Sequence, residues 1–227
     1  MKTLKKKWVL LLVICIVLIT TSVIQYSGRK KIKDEILSKV NHDTFEVVNL
    51  IADSYNVLKE IMETGVITKE QALILRNNSL DIHNYFHYIS SVAYEMGKHS
   101  GNYKNVIDTS MSIHYYIYKF IEEDITGIIL DDNNALIKLD KDKERDFRVI
   151  KELYWQWVCA VNLRISTVSK ELFEKQFNER NYEEYYGENI IEGDKWVSII
   201  NYLTMGTEHY LSKFDPPMKL ILDRKME

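Results

Sequence analysis

The stretch FRVIKELYWQWVCAVNLRISTVSKEL, residues 147–172, decides the fold class. Phe147, Ile150, Tyr154, Trp157, Val161, Ile165, Val168 and Leu172 recur every three or four positions, the period of one helix face. A half-buried strand would alternate instead. The pattern predicts a helix from about Lys143 to Asn181. The whole 227-residue chain carries only 8 glycines and 2 prolines, too few turn formers for a chain of short strands and tight turns.

Working outward, the same periodicity marks four more helices. Towards the C-terminus, Asp194 is a good N-cap. Behind it Trp196, Ile199, Leu203, Thr207, Tyr210 and Phe214 line one face, and Asp215-Pro216-Pro217 predicts a hard stop, because proline lacks the N–H. Towards the N-terminus, Val106, Ile113, Ile117 and Phe120 place a helix over about Lys104 to Glu123. Before it, Thr68-Lys69-Glu70-Gln71 has the form of a capping box, opening a helix with Leu75, Ile82, Ile89 and Met96 every seven residues and Phe86 and Ala93 between. Asn77-Asn78 interrupts that pattern as a kink, and Gly97 and Gly101 close it. The first helix runs from about Lys30 to Glu63, with Ile36, Val40, Val47, Ile51, Leu58 and Ile61 on its face and Gly65 ending it. Between the third and fourth helices, two apolar runs flank Asp131-Asp132-Asn133-Asn134, which reads as a β-hairpin at about 128–139. The alternative is a loop in which Asp132 or Asn133 caps an early start to the next helix. The expected fold is all-α, an antiparallel bundle of four or five long helices, each burying one stripe.

Trp8 to Ile19 is an unbroken apolar run of 12 residues, and no charge follows before Arg29. Residues 8–28 make a helix of roughly 31 Å, about one hydrocarbon thickness. Trp8 and Tyr26 sit at its ends, where amphipathic aromatics prefer the interface. A cleaved signal peptide shares the lysine-rich start, but no alanine occurs in the first 50 residues and Thr20 and Ser22 make a poor cleavage site. Ile14 before Cys15 does not suit a lipoprotein. The segment reads as a retained single-pass transmembrane signal-anchor, running into the first helix with Ser27-Gly28 as the weak point. The division is 1–7 basic flank, 8–28 anchor, 29–215 bundle domain and 216–227 tail.

Residues 1–33 hold eight basic residues and no acid. That leaves 22 of the 30 basic residues against all 33 acidic ones from position 34 onward, a balance of −11. Phosphate repels such a domain, which excludes nucleic acid as a partner. The basic collar beside the apolar segment suits anionic headgroups, so the lipid bilayer is the expected partner. Basic residues flank the span on both sides. The short lysine-rich start favours a cytoplasmic N-terminus, placing the domain outside the cell membrane. Cys15 lies in the apolar segment and Cys159 is the domain's one cysteine, so the domain contains no disulfide.

Candidate sites are few. His83 and His87 are four apart on the second helix, the spacing at which two imidazoles share a metal; His83-Asn84-Tyr85-Phe86-His87 lacks the glutamate of a hydrolytic H-E-x-x-H motif. With Ile82 and Ile89 in the core, both histidines face outward. The 131–142 stretch fails as an EF-hand, with Leu136 where a glycine is needed and Asp142 where a glutamate is. Among 15 tyrosines and 4 tryptophans, Trp155 and Tyr116 lie off the core stripes, and Tyr185 and Tyr186 sit in an acidic loop running from Glu183 to Asp194. These four are the candidate partner-binding residues, because Tyr and Trp suit partner surfaces. There is no nucleophile elbow, phosphate-binding glycine loop or zinc-type Cys/His spacing, and no cofactor motif. The sequence therefore predicts a membrane-anchored, non-enzymatic bundle that binds a protein at a cell envelope. A small-ligand sensor acting through a partner and a metal-dependent enzyme built on His83 and His87 are the alternatives.

Overall fold

The computed structural model describes the backbone of residues 2–98, 103–122, 136–165 and 195–223, and the side chains of 14–98, 103–122, 136–161 and 195–212. The elements run α1 (Lys2–Thr64), β1 (Val66–Thr68), α2 (Lys69–Glu95), α3 (Lys104–Phe120), β2 (Leu136–Lys138), α4 (Lys141–Ile165) and α5 (Lys195–Asp223). The chain divides into two compact units, Met1–Val40 and Asn41–Glu227.

The first unit is helix alone. α1 passes through Ser27-Gly28 without a break. Ile14, Ile16, Val17, Leu18, Ile19, Val23 and Ile24 are each between 47% and 65% exposed. At 100° per residue they cover the whole circumference rather than one stripe. Thr20 and Thr21 turn their hydroxyls back to helix carbonyls, Thr20 to Ile16 at 2.8 Å and Thr21 to Val17 at 2.9 Å. Among the described residues no helix is long and apolar enough to cross a membrane. Residues 8–13 of the predicted span lie outside the described side chains.

The second unit is a helical bundle with a small antiparallel sheet. The predicted stripes are its core: Val47, Ile51, Leu58 and Ile61 of α1, Leu75, Ile82, Phe86 and Ile89 of α2, Val106, Ile113, Ile117 and Phe120 of α3, Phe147, Ile150, Tyr154, Trp157 and Val161 of α4, and Trp196, Ile199, Leu203 and Tyr210 of α5 are buried. Thr68 caps α2 as its sequence predicts. Its hydroxyl accepts from the Gln71 N–H at 3.1 Å, and the Gln71 side chain accepts from the Thr68 N–H at 3.0 Å. Gly65 ends α1 with φ +70°, its N–H donating to the Ile61 carbonyl at 2.8 Å.

Three expectations need correction. First, among the described residues β2 has a partner distant in sequence, where a local hairpin was expected. It pairs with the connector between α1 and α2, in the register Val66↔Lys138, Ile67↔Ile137, Thr68↔Leu136. The reason is visible in retrospect. Val66-Ile67-Thr68 is β-branched throughout, Gly65 reverses the chain before it, and an N-cap residue is itself extended. Residues 128–135 lie outside the described ones. Second, the alternative of an early start capped by Asp132 or Asn133 is not met: α4 starts at Lys141, close to the expected Lys143, and Asp140 caps it, the Lys143 N–H donating to Asp140 Oδ1 at 2.8 Å. Third, the helix carries through Asp215-Pro216-Pro217 to Asp223. A proline's fixed φ is itself helical; the lost hydrogen bond and the ring clash bend a helix as readily as they end it. The Asp194 cap and the 166–181 part of the fourth helix lie outside the described residues.

Candidate functional site

α2 and α3 run antiparallel and are joined along one seam by two reciprocal hydrogen bonds. His83 of α2 meets the Ile107 carbonyl of α3 through Nδ1 at 3.0 Å. His114 of α3 meets the Arg76 carbonyl of α2 through Nδ1 at 3.0 Å. A carbonyl only accepts, so each ring carries its proton on Nδ1, and in the neutral ring Nε2 keeps a lone pair. The two bonds lie two helical turns apart in the same register, which makes them a matched pair of clamps.

His87 sits one turn beyond His83, with ring centroids 6.4 Å apart and planes tilted by 36°. The expected outward orientation holds for His87, which is exposed; His83 is half-buried in the seam. Among the described residues no group of three or more His, Cys, Asp or Glu side chains is placed to hold a metal ion.

The aromatic candidates divide. Trp155 is half-buried against the Tyr55 ring of α1, centroids 5.1 Å apart. Tyr116 is half-buried, edge-on to Phe147 at 5.9 Å, with its hydroxyl 3.4 Å from Asp146 Oδ2. Both therefore bridge helices inside the bundle. Tyr185 and Tyr186, and the acidic loop around them, lie outside the described residues. Among the described residues the bundle's exposed aromatics are Tyr94 (78%), Tyr115 (53%) and Tyr118 (40%). Tyr115 and Tyr118 flank His114, whose ring stacks on Tyr118 at 6.5 Å and meets Tyr115 edge-on at 5.5 Å. The Tyr118 hydroxyl donates to Glu122, and that bond with the carboxylate charge pushes its pKa up. His114, Tyr115 and Tyr118 thus form an ordered ledge on α3. Sequence reasoning missed it because it sought residues off the stripe without asking which neighbouring helix would cover them.

A buried polar thread was missed too. Asn78 donates to Asp53 Oδ2 at 2.8 Å and to Ser54 Oγ at 3.2 Å. Ser79 meets the Tyr154 hydroxyl at 3.1 Å. Burial pushes the Tyr154 pKa up to about 12, with hydrogen bonds to Ser79 and Ser54 opposing. At neutral pH this hydroxyl is therefore a structural link between α1, α2 and α4. The signal was available: Asn78 and Ser79 fall between Leu75 and Ile82 on the buried face, so that face had to bond them internally. α2 runs through Asn77-Asn78 without a break.

Neither a protein-family model nor a curated protein nor a solved structure matches the chain.

Proposed function

We propose that residues 8–28 tether this chain to a membrane in a single pass and that the bundle is a non-enzymatic protein-binding module displayed at a cell envelope. The observation that carries the tether is the all-round exposure of Ile14 to Ile24 on a continuous helix. Water opposes such a surface, and a helix apolar on every side is the kind that lipid surrounds. The back-bonded hydroxyls of Thr20 and Thr21 support it, since a span must satisfy its polar groups internally. The basic collar Arg29, Lys30, Lys31 and Lys33 is exposed and follows directly, as anionic headgroups favour. The proposed orientation keeps Lys2–Lys7 in the cytoplasm and exports the bundle.

For the binding role, the support is the His114–Tyr115–Tyr118 ledge, where large amphipathic rings are held in place yet open to solvent. A C-terminal reporter active on one side of the membrane tests the orientation. A photoreactive residue at Tyr115, compared with one at Trp155, tests the ledge in intact cells. Crosslinks to a defined partner from Tyr115 and not from Trp155 are expected. No crosslink from Tyr115, with the reporter showing export, would defeat the binding reading and leave the tether standing.

A further inference from the structure

We propose that His83 and His87 form an open two-imidazole site for a divalent transition-metal ion, with Cu2+ binding more tightly than Zn2+. Three observations carry it. The first is the tautomer. The Ile107 carbonyl accepts a hydrogen bond from the Nδ1–H of His83 at 3.0 Å, which in the neutral ring leaves the lone pair on Nε2. Metal-binding histidines are oriented in the same way, by a carbonyl or carboxylate on the other nitrogen. The second is reach. The two rings are one helical turn apart with centroids at 6.4 Å. An ion held at about 2.1 Å from each Nε2 sits roughly 3.2 Å from each ring centre, so at a cis or tetrahedral angle the centres stand roughly 4.5–5.3 Å apart, and the exposed His87 must swing about 1–2 Å towards His83 to close the pair. The third is an internal contrast. His114 has the same carbonyl bond, but its ring neighbours are Tyr115 and Tyr118 rather than a second imidazole. Among the described residues the carbonyl clamp therefore occurs twice on the seam and the chelating pair once.

The donor set defines the ion. Two neutral imidazoles suit borderline metals, and affinity rises through the first-row series to a maximum at Cu2+. Calcium and magnesium, which demand oxygen, do not suit it. Among the described residues no third His, Cys, Asp or Glu joins the pair. The described residues leave the remaining positions open, so the ion is exchangeable.

The test uses full-length protein in detergent, purified without a polyhistidine tag. Cu2+ is followed by electron paramagnetic resonance and Zn2+ by calorimetry. One Cu2+ per chain with two coordinating imidazole nitrogens is expected. His87→Ala, at an exposed position, should weaken binding by at least roughly tenfold with an unchanged Tm. His83→Gln should weaken it similarly, and His114→Gln should not. Binding that survives His87→Ala, or that His114→Gln abolishes, would overturn the assignment, as would no saturable binding in the wild type.

Discussion

Residues 14–28 and residues 41–64 belong to one helix, α1, and treat the same side chains in opposite ways. In the first stretch Leu18, Ile19 and Ile24 are 60–65% exposed; in the second Ile51 and Leu58 are at most 1% exposed. Individual polar groups show the same contrast. Thr20 and Thr21 bond within their own helix, whereas Ser54 receives a bond from Asn78 of α2. Helix propensity does not separate the two stretches. What separates them is whether apolar residues surround the helix or form one stripe that a neighbouring helix can remove from water; for the first stretch lipid is the proposed cover.

The largest effect should come from charging the first stretch. Leu18→Lys with Ile19→Lys puts two charges near the middle of residues 8–28, at about 2.5–3.5 kcal/mol each for insertion. The double variant is expected to move from the carbonate-resistant membrane fraction to the soluble one. A variant that stays membrane-bound would break the comparison, because the exposed apolar surface would then not be the tether.

Next comes truncation of one residue type in both stretches. Ile51→Ala removes a wholly buried side chain and should cost about 2–5 kcal/mol in unfolding of the bundle. Ile24→Ala should leave the bundle's Tm unchanged. Equal effects from the two would erase the distinction.

Much of this was legible in the sequence. The 3–4 spacing of Phe147 to Val161 identified the α4 core, and Thr68 and Gln71 located the start of α2 to the residue, because both signals are local. What was not legible depended on long-range partners. Val66-Ile67-Thr68 becomes a strand only because Leu136–Lys138 arrives opposite it, 70 residues on. Trp155 is half-buried because Tyr55 packs against it, and His83 because its ring bonds the Ile107 carbonyl across the seam. Spacing along one helix states which face a residue occupies, not which neighbour that face meets.

A smaller effect should come from exchanging hydroxyls for methyls. Ser54→Val leaves Asn78 and Tyr154 each short of a buried partner, costing about 1–3 kcal/mol. Thr20→Val should leave membrane retention intact, since its hydroxyl serves only its own helix. The same thread gives a pH dependence. The Tyr154 pKa of about 12 lies above the ordinary 10.0, so its contribution is complete below pH 10 and is lost as pH rises through 12. Tyr154→Phe should flatten the fall of Tm across that window; an unchanged slope would assign the fall to other groups.

The finest distinction lies in two glycines of opposite role. Gly28 stands within α1, and a Cβ there meets nothing within 4 Å. Gly65 also has open space around it, but its φ is +70°. Gly28→Ala therefore removes only backbone freedom and should stabilise the local helix by about 0.5–1 kcal/mol, read as slower amide exchange over residues 24–32. Gly65→Ala forces a side chain into the left-handed region at about 1–2 kcal/mol. The strain falls where the Gly65 N–H closes α1 on Ile61 and its carbonyl receives the Leu139 N–H at 3.1 Å. It should lower the bundle's Tm by a few degrees. Because neither substitution meets a steric clash, the opposite signs isolate backbone conformation as the cause. Faster exchange around residue 28 in Gly28→Ala would mean that α1 does not run straight through that position, and the two stretches would then have to be treated as separate helices.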